Sequence, residues 1–200
     1  MIESLLCGGG PAVPTGQQNF ITAGTFSFVV PNNVTLLSAY LQGAGGGGGA
    51  GNSSYRGTDG GPGAIGKAVY SNDILVTPGE TLTIVIGLGG GTPGAGTATQ
   101  ILRSGTVLFT AAGGAAGYNS TSTDTSEKHT GRPGPAAPAV PGLTGVGTGN
   151  SAPGSGGNGG KGYGFNAGLS ASRGINGALR IIWGKNRAFP STNVADMKVV

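Results

Sequence analysis

Charge, aromatic rings, sulfur and imidazole are all scarce in this 200-residue chain: 9% of its residues are charged, 6% are aromatic, and it has one cysteine and one histidine. Each shortage excludes something. Cys7 has no internal disulfide partner, so cross-links do not hold the fold and the redox compartment stays open. The seven acidic residues are dispersed, which argues against the paired carboxylates of a glycan-cleaving cleft. No apolar stretch approaches membrane-spanning length. The opening MIESLLCGGG lacks the basic start and long apolar run of an export signal. The expectation is therefore synthesis in a cytoplasm and release by lysis or within a particle. No segment keeps a 3.6-residue apolar period, so no helix is expected. Glycine would in any case cost a helix about 1 kcal/mol per position relative to alanine.

What the chain has in abundance is glycine: 45 residues, with 12 prolines. That proportion usually signals low complexity, but disorder of that kind also goes with high charge, which is missing here. Leu, Ile, Val and Phe make up 42 residues, most of them in short dense segments suited to a shared core. The glycine is interleaved with these segments rather than gathered in one tail, and no strict Gly-X-Y period marks a collagen helix. The formal net charge is +4. Lys161, Arg173, Arg180, Lys185 and Arg187 form a basic C-terminal stretch. It is too sparse for a phosphate-tracking stripe and has no interleaved stacking aromatics, so nucleic acid is not the expected partner.

Two-residue alternation marks strands at 25–30 (TFSFVV) and 81–86 (TLTIVI). Further candidates are 18–22, 34–42, 64–77 with a bend at Ser71 and Asn72, 97–103, 106–111 and 177–183. Short turn signals at Thr22-Ala23-Gly24, Pro31-Asn32-Asn33, Thr77-Pro78-Gly79 and Ser104-Gly105 favour antiparallel neighbours. The remaining connections, 43–63, 87–96 and 112–176, are long and glycine-rich. Alternating strand direction sends all three out at one end of the molecule and puts the turns after Val30, Thr77 and Arg103 and both termini at the other. The expected organisation is an N-terminal attachment segment (1–17), a glycine-rich β-sandwich of jelly-roll or Greek-key type (18–184) and a C-terminal tail (185–200).

Long glycine loops lose much conformational freedom on ordering. Lying side by side as three-residue-per-turn polyglycine helices, they would recover backbone hydrogen bonds between close-packed neighbours. The non-glycine insertions then become tips: Asn52 to Arg56 with Thr58 and Asp59, the run from Tyr118 to Arg132, Asn150-Ser151, and Lys161 with Tyr163 and Phe165. Rings beside small hydroxyl and amide groups suit carbohydrate or protein surfaces. Tyr55, Arg56, Tyr118, His129, Arg132 and Tyr163 are the expected receptor contacts.

Sharper motifs fail on context. Residues 61–67 (GPGAIGK) have the spacing of a phosphate-binding loop, but Ala68 stands where a magnesium-binding hydroxyl is needed and a strand follows. Gly89, Gly91 and Gly94 fit a dinucleotide fingerprint, yet Pro93 and the β-rich sequence beyond give no βαβ unit. His129 with Asp124, Ser126 and Glu127 lies in a glycine- and proline-flanked run without rigid support. Neither catalysis, nor a metal, nor a cofactor is expected. Asn33, Asn52 and Asn119 begin glycosylation triplets that lack an export signal.

The order GTFSFVVPNNV, a strand ending in GAGGGGG, VTPGETLTIVIGLGGG and a glycine-rich approach to GALRIIWG resembles the glycine-rich domain of tailed-bacteriophage tail-fibre and adhesin proteins. The segment RIIWGKNRAFPSTN is similar to the ends of virion proteins from phages of marine cyanobacteria. The resemblance implies a multi-copy virion component at or near the tail. Its partners would be other virion proteins and a host-surface glycan or outer-membrane protein. Alternatives are a purely structural capsid-decoration or baseplate protein, and an enzyme.

Overall fold

The computed structural model describes residues 12–51, 59–120, 152–157 and 170–190. These contain eight strands: β1 (Gly16–Phe20), β2 (Gly24–Val29), β3 (Leu36–Gln42), β4 (Ala68–Leu75), β5 (Thr81–Ile86), β6 (Thr99–Arg103), β7 (Thr106–Ala111) and β8 (Ala178–Trp183). They form two four-stranded sheets in the orders β1-β8-β3-β4 and β2-β5-β6-β7. Every pairing is antiparallel, so the molecule is an all-β sandwich.

The alternation read from the sequence puts one side chain in two into the space between the sheets. Phe28, Leu37, Leu41, Leu82, Ile84, Ile101, Leu179 and Ile181 are all at most 2% exposed and form one cluster. Each such side chain contributes about 1.5–3 kcal/mol on leaving water. Phe28 meets Trp183 across the sheets at 5.8 Å between ring centres, and Phe20 meets Phe26 at 5.5 Å beside the β1–β2 turn. The sheet carrying β3 and β8 is covered on its outer face too. There Phe189 packs on Tyr40 and Ile182, held by two hydrogen bonds between its backbone and the Asn72 side-chain amide. Burial pushes the Tyr40 phenol above its ordinary pKa. Arg180, fully buried on this face, donates to Gln17 Oε1.

Turn chemistry follows the sequence signals. Pro78-Gly79, with Gly79 at φ +81° and the Glu80 amide bonded to Thr77 O, makes a type II turn. Ser104 and Gly105 at φ +48° and +81° give the hairpin turn whose twist matches antiparallel strands. Both edges on one side of the sandwich are interrupted. Asp73 (φ +55°) bulges out of β4, and Leu108 is the extra residue of β7 between the pairs Ile101–Phe109 and Leu102–Val107. Bulges of this kind discourage edge-to-edge pairing.

One boundary differs materially from the sequence reading. Residues 64–67 are not the start of β4. The amides of Gly61, Ala64 and Lys67, three apart, donate to Tyr118, Ala115 and Ala112, a three-residue period instead of the two-residue period of a strand. The bend expected at Ser71 and Asn72 is the bulge centred one residue later.

Candidate functional site

At the end of the sandwich where β3, β5 and β7 finish and β4, β6 and β8 begin, the glycine-rich segments form a bundle built around residues 43–51. Seven consecutive amides of this central segment are used. Gly43, Gly46 and Gly49 donate to Lys67, Ala64 and Gly61 at 2.8–2.9 Å; Ala44 and Gly47 donate to Thr97 and Gly94; Gly45 and Gly48 donate to Ile175 and Ser172. Its carbonyls accept in turn from Gly114, Gly117 and Ser120, from Gly90, and from Gly157. Six segments therefore surround it: 59–67, 87–91, 94–98, 112–120, 152–157 and 170–177.

The six also bond to one another in a closed ring. Segment 59–67 donates to 112–120 through Gly61, Ala64 and Lys67, and to 152–157 through Gly63 and Gly66. Gly96 joins 94–98 to 112–120, and Thr97 joins it to Leu88. Gly174 and Gly177 join 170–177 to 87–91, while Ile175 and Gly154 bond it to 152–157 in both directions. Outgoing and returning segments alternate around the ring. Neighbours antiparallel to the centre accept its amides, and neighbours parallel to it fill its carbonyls.

Packing this close requires glycine. Residues 43–49 are wholly buried, and a side chain on Gly43, Gly45, Gly46, Gly47 or Gly49 would stand well under 3 Å from a neighbouring carbonyl oxygen. In two ring segments buried glycines recur every third residue. Gly60, Gly63 and Gly66 are buried while Ala64, Ile65 and Lys67 are exposed, and Gly114 and Gly117 are buried while Ala115 and Ala116 are exposed. The base is tied to the sheets by Thr99, whose hydroxyl donates to Gln42 O and accepts from the Gly87 amide, and by Gln42 Nε2 donating to Gly66 O. Towards the far end the Ala50 amide donates to Asn119 Oδ1 at 2.8 Å.

Of the six expected receptor contacts, the described residues include Tyr118; Tyr55, Arg56, His129, Arg132 and Tyr163 lie outside them. Tyr118 stands near the outer end of segment 112–120, 60% exposed, and its carbonyl accepts from the Gly61 amide at 2.8 Å. Its ring fills the space where a Gly61 side chain would be. Gly61 was legible only as part of the phosphate-loop spacing, and its role as a seat for the ring carries no sequence signal beyond glycine itself. That spacing has no phosphate cradle behind it: the amides of Gly61, Gly63, Ala64, Gly66 and Lys67 are all committed to neighbouring carbonyls. Among the described residues no three His, Cys, Asp or Glu side chains gather in a metal-binding group.

A family described as Glycine-rich domain matches residues 21–192, a span that takes in both the sandwich and the bundle. The chain belongs to this glycine-rich domain family. Within the match, glycine richness has a structural meaning: it supplies the side-chain-free centre and inward-facing positions of the ring segments. No curated protein matches the chain.

Proposed function

We propose that this member of the glycine-rich domain family is a virion component of a tailed bacteriophage, an adhesin of the tail fibre or tail tip that presents loops to the host surface. The observation that carries the reading is the division of the molecule into two poles. One holds the hydrogen-bonded bundle, whose outer end bears Tyr118 and the chain leading into residues 52–58, 121–151 and 158–169. The other holds the turns after Val30, Thr77 and Arg103 and four exposed apolar side chains, Val29, Leu36, Leu75 and Val107, with Leu75 74% exposed. A rigid base under loops limits the entropy lost when they engage a partner, and many copies per particle multiply weak contacts. The apolar pole suits attachment to other virion proteins. An open pocket of about 360 Å³ beside it is lined by residues including Leu36, Leu37, Asp73, Trp183 and Lys185.

The same poles also serve a second reading, a capsid-decoration or baseplate protein in which the bundle faces other subunits; orientation in the particle separates the two. In the adhesin reading the chain is not an enzyme, takes no cofactor and contacts no nucleic acid. The test is host-cell adsorption by the purified protein and its competition with infection. Replacing Tyr55, Arg56, Tyr118, His129, Arg132 and Tyr163 together is expected to reduce adsorption by about tenfold or more, a loss of at least about 1.4 kcal/mol, with the fold retained. Undiminished adsorption overturns the proposal.

A further inference from the structure

Among the described glycines of the bundle whose missing side chain would collide with something, Gly61 stands apart. The others are blocked wholly or partly by backbone. At Gly61 the three nearest atoms are Cδ1, Cε1 and Cζ of Tyr118. The position seats a ring, and Tyr118 is nevertheless 60% exposed. Its backbone is also fixed, since the Tyr118 carbonyl takes the Gly61 amide and the neighbouring Asn119 side chain takes the Ala50 amide. Ala64, Ala115 and Ala116 on the same two segments are small, uncharged and exposed.

From this geometry we infer that Tyr118, seated on Gly61, is a stacking subsite for a hexopyranose. A protein hot spot needs an enclosed, desolvated pocket around its anchor, and Tyr118 is 60% exposed. A pyranose needs only a flat, preordered apolar plane for its C–H face, with water or small amides meeting its hydroxyls. Holding the ring in place removes much of the ordering cost that makes single sugar contacts weak. This inference rests on the adhesin reading and adds to it the chemical class of the receptor.

Saturation-transfer NMR on the full chain with the methyl glycosides of glucose, galactose, mannose and N-acetylglucosamine, each at about 10 mM as suits millimolar affinity, tests the subsite directly. The expected result is transfer to the C–H protons of one sugar face for at least one of the four. Tyr118→Phe should preserve it, and Tyr118→Ala should reduce it by about tenfold. Gly61→Ala should reduce it similarly, because the new methyl meets the Tyr118 ring first; its amide spectrum should otherwise match the parent. Absence of transfer from all four glycosides, or transfer that survives Tyr118→Ala, overturns the inference. Adsorption to host cells is measured in parallel, before and after periodate oxidation of surface glycans. Adsorption that resists periodate points to a protein receptor and overturns the sugar as the receptor class, leaving the adhesin reading standing. Sugar transfer without any adsorption overturns the adhesin reading alone.

Discussion

At the residue scale the bundle distinguishes glycines that look identical in the sequence. Gly47 and Gly91 both lie within glycine runs, but a methyl on Gly47 would press into the carbonyls of Gly90 and Gly91, whereas a methyl on Gly91 meets nothing within 4 Å. Gly47 also donates to Gly94 and accepts from Gly117, so any shift that relieves the overlap breaks bonds to two segments. Gly47→Ala is expected to destabilise the protein by about 3 kcal/mol or more, the upper range for overpacking. Gly91→Ala should be neutral or stabilising by a few tenths, about 0.4–1 kcal/mol at most, since alanine restricts the unfolded chain. Thermal or denaturant unfolding of the two variants measures the difference, and equal effects would contradict the packing described.

At the element scale the strands were readable because side chains announce them: β5 falls on the residues where TLTIVI alternates, and β2 covers all but the last residue of TFSFVV. Residues 64–67 misled for the same reason. Ala64 and Ile65 imitate the opening of a strand, while the feature that governs them, an amide directed to Tyr118, Ala115 or Ala112 every third residue, leaves no trace in side-chain pattern. Polyglycine packing was foreseeable from the need to satisfy backbone groups. Which segments adjoin was not, because glycine carries nothing that specifies a partner; the choice of 43–51 as the centre and the closing of the ring by 152–157 emerge only in three dimensions. In the candidate site, Tyr118 was legible as a ring among small polar residues, and its glycine seat was not. The central position has a measurable consequence. Amides 43–49 sit inside six neighbours with every donor bonded, so they should exchange with solvent as slowly as those of core strands β3 and β5. The amides of Ala95 and Ala116, exposed on the ring, should exchange faster. Uniformly fast exchange across 43–49 would mean that the ring opens independently of the sandwich.

At the scale of the whole molecule, the bundle and the sandwich cannot be separated without cutting both. The central segment continues directly from β3, and its partners are drawn from before β4, after β5, before β6, after β7 and before β8. Gln42 and Thr99 connect the last residues of the sheets to the first turn of the bundle through buried hydrogen bonds. Loss of any of β4 to β8 therefore removes the anchorage of a ring segment, and a lost segment leaves buried carbonyls and amides in the centre without partners, each costing about 1–3 kcal/mol. Stability should be shared, with a single cooperative transition of the kind small domains show. The decisive case is Leu41→Ala, which opens a cavity in the sandwich core and alters no glycine; its expected cost is about 2–5 kcal/mol. Near-ultraviolet circular dichroism of Trp183, packed on Phe28 in the sandwich, reports one half. Exchange protection of amides 43–49 reports the other. Both should lose the same free energy in this variant, and so should the pair of probes in Gly47→Ala, where the damage begins at the opposite end. If Leu41→Ala loosened the sandwich while the central glycine amides kept their protection, the bundle would be a domain in its own right, and the rigid coupling on which presentation from a fixed base depends would have to be abandoned.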